Sequence, residues 1–136
     1  MSELREEAAP GVSMAWFFCL RAGGGRYAFK ATHVSEVVRL APITRLPSAP
    51  GFLMGVFTHR GEILPALDLN QLLGKKPIQV LPSTRAAIVR SGPWRLALVA
   101  EQVEGLVSLR QGLLEAPPAD RAGPAEALAA VVRDAR

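Results

Sequence analysis

A single cysteine, Cys19, excludes a disulfide framework and any site built from several thiolates. With two histidines beside it, a zinc centre made of protein ligands would need carboxylates to complete it. Long apolar runs are missing, and the acidic start, residues 1–7, lacks the basic and apolar regions of a signal peptide. These absences lead us to expect a chain of a reducing compartment, cytoplasmic, with no direct membrane insertion. Excess charge of one sign is also modest: 16 Lys and Arg stand against 12 Asp and Glu. All of the excess lies in residues 75–110, which hold six basic and two acidic side chains. There Arg85, Arg90, Arg95 and Arg110 are widely spaced and Trp94 is the sole aromatic. A nucleic-acid binder typically interleaves a dense basic stripe with stacking aromatics, so a solvated basic face is the simpler reading.

What the chain does have is apolar mass and turns. Hydrophobic residues make up 49% and charged residues 21% of its 136 positions, enough for one compact domain with a core. Its 12 Gly and 11 Pro fit short strands joined by turns rather than a helical bundle. Met14–Leu20 reads as a strand buried on both sides, and Tyr27–Thr32 as its hairpin partner across the glycines of 23–25. Alternation places Tyr27, Phe29 and Ala31 inward and Ala28, Lys30 and Thr32 outward. Thr32–Val37 is compatible with one helical turn capped by Thr32, followed by an extended stretch from Val37 to Leu46. Phe52–His59 and Ile63–Leu69 form a second hairpin around Arg60-Gly61-Glu62. In it Gly55 marks a bulge or a close backbone approach, and Pro65 an edge or irregularity.

Asn70–Gly74 reads as a short turn of helix, and residues 75–83, with Pro77 and Pro82, as a linker. Arg85–Arg90 and Trp94–Ala100 make a third hairpin, and Val103–Leu109 a further strand interrupted by Gly105. Residues 125–136 fit either a helix starting near Pro124 or a short buried strand. The pattern predicts a mainly β fold of small barrels or a sandwich, divided near residues 75–83 into two groups of strands.

Catalytic chemistry is absent from the pattern. No nucleophile elbow, phosphate loop, dinucleotide fingerprint or metal-ligand spacing occurs, so no catalytic, metal or cofactor-binding residue is assigned. Cys19 lies in the most apolar strand and reads as core. His59 shares a strand face with Phe57 and reads as partly buried and hydrogen-bonded. Asp68 reads as a cap for backbone donors near Asn70.

The most specific feature is Gly55–Leu69, of the form G-V-x-x-x-R-G-x-I-L-P-x-x-D-L. It resembles the signature of the CheW-like domain of bacterial chemosensory systems. Tyr27-Ala-Phe, Val34-Ser-Glu-Val-Val38, Ile43–Pro50, the 86–99 hairpin and Val103–Leu109 extend the resemblance over about residues 13–117. It implies two small SH3-like β-barrels on a shared apolar core, the first at about 13–74 and the second at about 84–136, after a flexible N-terminus at 1–12. It also implies a non-enzymatic adaptor that couples the cytoplasmic signalling tip of a chemoreceptor to a CheA-type histidine kinase. The receptor-binding residues it implies are Val34, Glu36, Val38, Gly55, Arg60 and Gly61, with Glu36 and Arg60 as an ion pair. Thr58-His59 stands where the family usually has Asn-Leu or Asn-Trp before Arg-Gly. Family members continue with another aliphatic strand and a helix, so the resemblance implies an incomplete second barrel and an auxiliary coupler with a reduced kinase interface. Two rival readings stay open: a small barrel that binds nucleic acid through residues 75–110, and a regulatory decoy occupying a partner's site.

Overall fold

The computed structural model describes residues 3–5, 13–110, 112, 114–115 and 128–132. Strands carry nearly all of its regular structure: β1 Glu3–Arg5, β2 Met14–Ala22, β3 Gly25–Lys30, β4 Val34–Arg39, β5 Leu53–His59 and β6 Glu62–Asp68. After the single helical turn α1, Leu69–Leu72, come β7 Arg85–Ser91, β8 Trp94–Ala100, β9 Gln102–Arg110, β10 Leu114–Glu115 and β11 Leu128–Val132.

These strands form two sheets. One has the order β1-β9-β2-β3-β11-β10 and the other β4-β7-β8-β6-β5. The three hairpins expected from turn chemistry are all present: β2–β3, β5–β6 and β7–β8 pair antiparallel. The sheets do not follow the sequential division near residues 75–83, because each draws strands from both sides of it. β2 pairs with β9 across the whole chain, and β4 pairs with β7. A short apolar strand supplies half a core face, and its complement here lies far away in sequence, so each half completes the other.

The sheets share a core. Phe18, Leu20, Tyr27 and Phe29 of the first pack with Leu67, Val89, Leu96 and Leu98 of the second. Each sheet also covers an apolar cluster of its own, built on Phe57, Leu64, Ile88 and Val99 in one and on Cys19, Ala28, Val107 and Leu109 in the other. Strands with both faces buried need no polar alternation, which is why 86–89 and 96–100 read as continuous apolar runs. Cys19 is fully buried, as expected of a core residue.

Several local expectations are corrected. Ala28, expected outward, is buried in the third cluster because β3 is covered on both faces. The turn before β4 is a 3-10 turn at Ala31–His33, begun from Lys30 rather than capped by Thr32, and Val34 is already extended. β6 is an interior strand, yet Pro65 costs it nothing, since its ladder with β8 begins one residue later at Ala66. The 75–83 stretch has no strand but is pinned: Ile78 is buried, and its N–H donates to Asp68 Oδ2 at 2.9 Å. Asp68 also caps α1, accepting from the Gln71 N–H at 3.2 Å, so it binds backbone donors as the sequence indicates.

At the N-terminus, expected to be flexible, residues 3–5 pair in parallel with β9. At the other end 128–132 is a strand, not a helix. It runs antiparallel to β3, whose outer edge would otherwise leave backbone donors and acceptors unpaired. The rest of the 1–12 and 125–136 readings lies outside the described residues.

Candidate functional site

Glu36 is aimed by a bulge. Between Val34 and Glu36 the register of β4 against β7 shifts, and Ser35, in the extra position, donates its hydroxyl to the Ile88 carbonyl at 3.2 Å. A bulge of this kind redirects the following side chain. Arg60 is delivered by the β5–β6 turn, in which Arg60 and Gly61 both have positive φ, 51° and 78°. Positive φ at both central residues is the mirror-image turn that fits the twist of a two-residue hairpin. Glycine takes this state freely, whereas arginine holds it at a cost.

The two elements bring Arg60 Nη2 to 3.3 Å from Glu36 Oε1. On the other side of the carboxylate, His59 Nε2 lies 3.1 Å from Glu36 Oε2. That nitrogen is shut off from solvent, and its approach is too oblique for a straight hydrogen bond. His59 against the carboxylate holds Glu36 below the ordinary glutamate value of 4.5; desolvation, the next-largest effect, opposes it, and the nearby charges of Arg60 and Arg95 lower it further. Arg60 is 76% exposed and Glu36 24%, so the cation faces outward. Beside them Arg95 contacts Glu62, which stands directly across from His59 in the β5–β6 ladder. Ile63 and Trp94, next in sequence to that pair, are 70% and 65% exposed.

Of the six residues implied as a binding rim, Glu36 and Arg60 meet, with Gly61 beside Arg60 in the turn. Val34 and Val38 are half-buried and pack toward different cores. Gly55 is buried, and its role is a close approach: a Cβ there would lie 2.3 Å from the Thr44 carbonyl oxygen. Thr44 and Val56 exchange two backbone hydrogen bonds across that spot, at 2.8 and 2.9 Å. Glu36 also lines an open groove of about 460 Å³ between the sheets, with Ser35, Val37, Arg85, Val103 and Glu104. Glu104 is tied to its own sheet by the Arg26 guanidinium at 2.7 Å.

Residue-by-residue reading missed His59 as a member of the charged cluster, along with Glu62, Arg95, Ile63 and Trp94. The alternation Glu62–Ile63 and Trp94–Arg95 carries a signal only once the parallel β6–β8 pairing is known. The basic stretch is partly committed internally: Arg85 donates to the Pro82 and Thr84 carbonyls, and Arg95 contacts Glu62. Among the described residues no three His, Cys, Asp or Glu side chains gather as metal ligands, and no helix is long and apolar enough to cross a membrane.

A two-sheet β scaffold with an exposed ion-pair cluster and flanking apolar side chains is the architecture of a binding module. The chain belongs to the CheW-like domain family, whose family model matches residues 17–136. It is 38% identical over 117 residues to protein FrzA of Myxococcus xanthus, covering 86% of this chain and 73% of FrzA. It is 27% identical over 100 residues to a probable chemotaxis protein CheW of Rhizobium etli, covering 72% of this chain and 63% of that protein. Over 96 residues it is 25% identical to chemotaxis protein CheW of Helicobacter pylori, covering 71% of this chain and 58% of that one. The fold is similar to the crystal structure of the scaffolding protein TtCheW from Thermoanaerobacter tengcongensis. The TM-score is 0.67 at 25% identity, covering 76% of this chain and 71% of the other.

Proposed function

We propose that this chain is a non-enzymatic coupling adaptor of a bacterial chemosensory pathway, working on the cytoplasmic side between a chemoreceptor signalling tip and a CheA-type histidine kinase. Membership of the CheW-like family supports the adaptor class. The observation that carries the reading to residues is the contact of Glu36 with Arg60, made by a bulge in β4 and a left-handed turn between β5 and β6. A surface ion pair adds little to stability when both groups stay solvated, so a bulge and a strained turn spent on one point to recognition. The exposed Ile63 and Trp94 add apolar area next to it. An auxiliary role, with receptor contact kept and kinase contact reduced, is the narrower form of the reading.

A double-mutant cycle tests it. Glu36→Ala and Arg60→Ala should each weaken binding to a soluble receptor-tip fragment while leaving cooperative unfolding intact. The double variant should lose less than the sum of the two, because both singles break the same pair. If both singles bind as the parent does, the pair belongs to the surface alone and the docking assignment fails.

A further inference from the structure

His59 has no part in the pair as read from the motif, yet the structure commits it there. It ends β5 with a side chain 16% exposed, and its Nε2 is closed off from solvent. A buried ring nitrogen needs a polar partner, and Glu36 Oε2 at 3.1 Å is the charged group within reach. The other carboxylate oxygen is 3.3 Å from Arg60 Nη2. Adjacent residues thus grip both oxygens of one carboxylate, which restricts its rotation and turns the exposed guanidinium toward solvent.

The charged groups around His59 are Glu36 of β4, Arg60 of the turn, Glu62 opposite it on β6, and Arg95 of β8 against Glu62. With a neutral imidazole, two carboxylates balance two guanidiniums. We propose that His59 is the positioning residue of this docking site, holding Glu36 so that Arg60 is presented to a carboxylate on the partner. The inference rests on the docking role proposed above and adds the partner's chemistry, an acidic side chain.

The test uses the full chain with His59→Leu, which keeps bulk without an N–H, and His59→Gln, which keeps an N–H. In the absence of any partner, carbon-13 NMR follows the Glu36 carboxyl through acid titration. Its midpoint, held below 4.5 in the parent, should move up toward that value in the Leu variant and stay low in the Gln variant. Binding to a soluble receptor-tip fragment should weaken roughly fivefold or more in the Leu variant and change less than about twofold in the Gln variant. Parent-like titration and binding by His59→Leu would overturn the positioning role. If Glu36 responds as stated but the parent does not bind the fragment, the hold on Glu36 stands and the docking reading is what fails.

Discussion

Arg60 occupies a backbone state that disfavours its own side chain. Its φ of 51° is the left-handed region, where a non-glycine residue costs about 1–2 kcal/mol. Asparagine tolerates that region, and Asn-Gly is the preferred pair for this turn. Arg60→Asn should therefore raise the stability of the chain by up to about 1 kcal/mol in denaturant unfolding while weakening partner binding. Stability and binding moving in opposite directions would mark Arg60 as retained for recognition. A variant that loses both would place the residue in the fold instead. At this scale the Glu36–Arg60 pair was legible through the resemblance to the CheW-like family, and the Arg60-Gly61 turn also from its own sequence. His59 was legible only as a half-buried histidine. Nothing local reveals that the bulge at Ser35 would carry Glu36 onto it; that contact joins β4 and β5, the two opposite edges of their sheet.

At the scale of elements, Gly55 shows how a single position shapes the site without touching it. Its φ of 145° and the 2.3 Å approach of the Thr44 carbonyl to any added Cβ forbid a side chain. The chain leaving β4 can therefore lie against β5, the strand that bears His59, through the Thr44–Val56 bridge. Gly55→Ala should cost about 2–4 kcal/mol, seen as a lower denaturant midpoint, because the neighbour is backbone and cannot swing aside. A change below about 0.5 kcal/mol would show that the close approach is slack. The hairpins were readable from alternation and turn residues, and Gly55 from its interruption of a strand. The pairing of β2 with β9 and β4 with β7 was not, since residues some 50–90 positions apart leave no local trace. The tail at 128–132 was left open between helix and strand for the same reason: its alanines favour a helix locally, and only the waiting edge of β3 decides for the strand.

At the scale of the molecule, the interleaved sheets make a single mechanical unit with Glu36 at their junction. The groove between the sheets and the ion cluster share that residue. The central claim is that one copy of the chain joins a receptor tip to a kinase. The most direct measurement is sedimentation velocity of a receptor-tip fragment and a CheA-type kinase regulatory domain, mixed with and without the chain. The account predicts a faster-sedimenting species containing all three only when the chain is present, reduced by Arg60→Ala. No species containing the chain with either partner, at concentrations where the chain is folded, would contradict it.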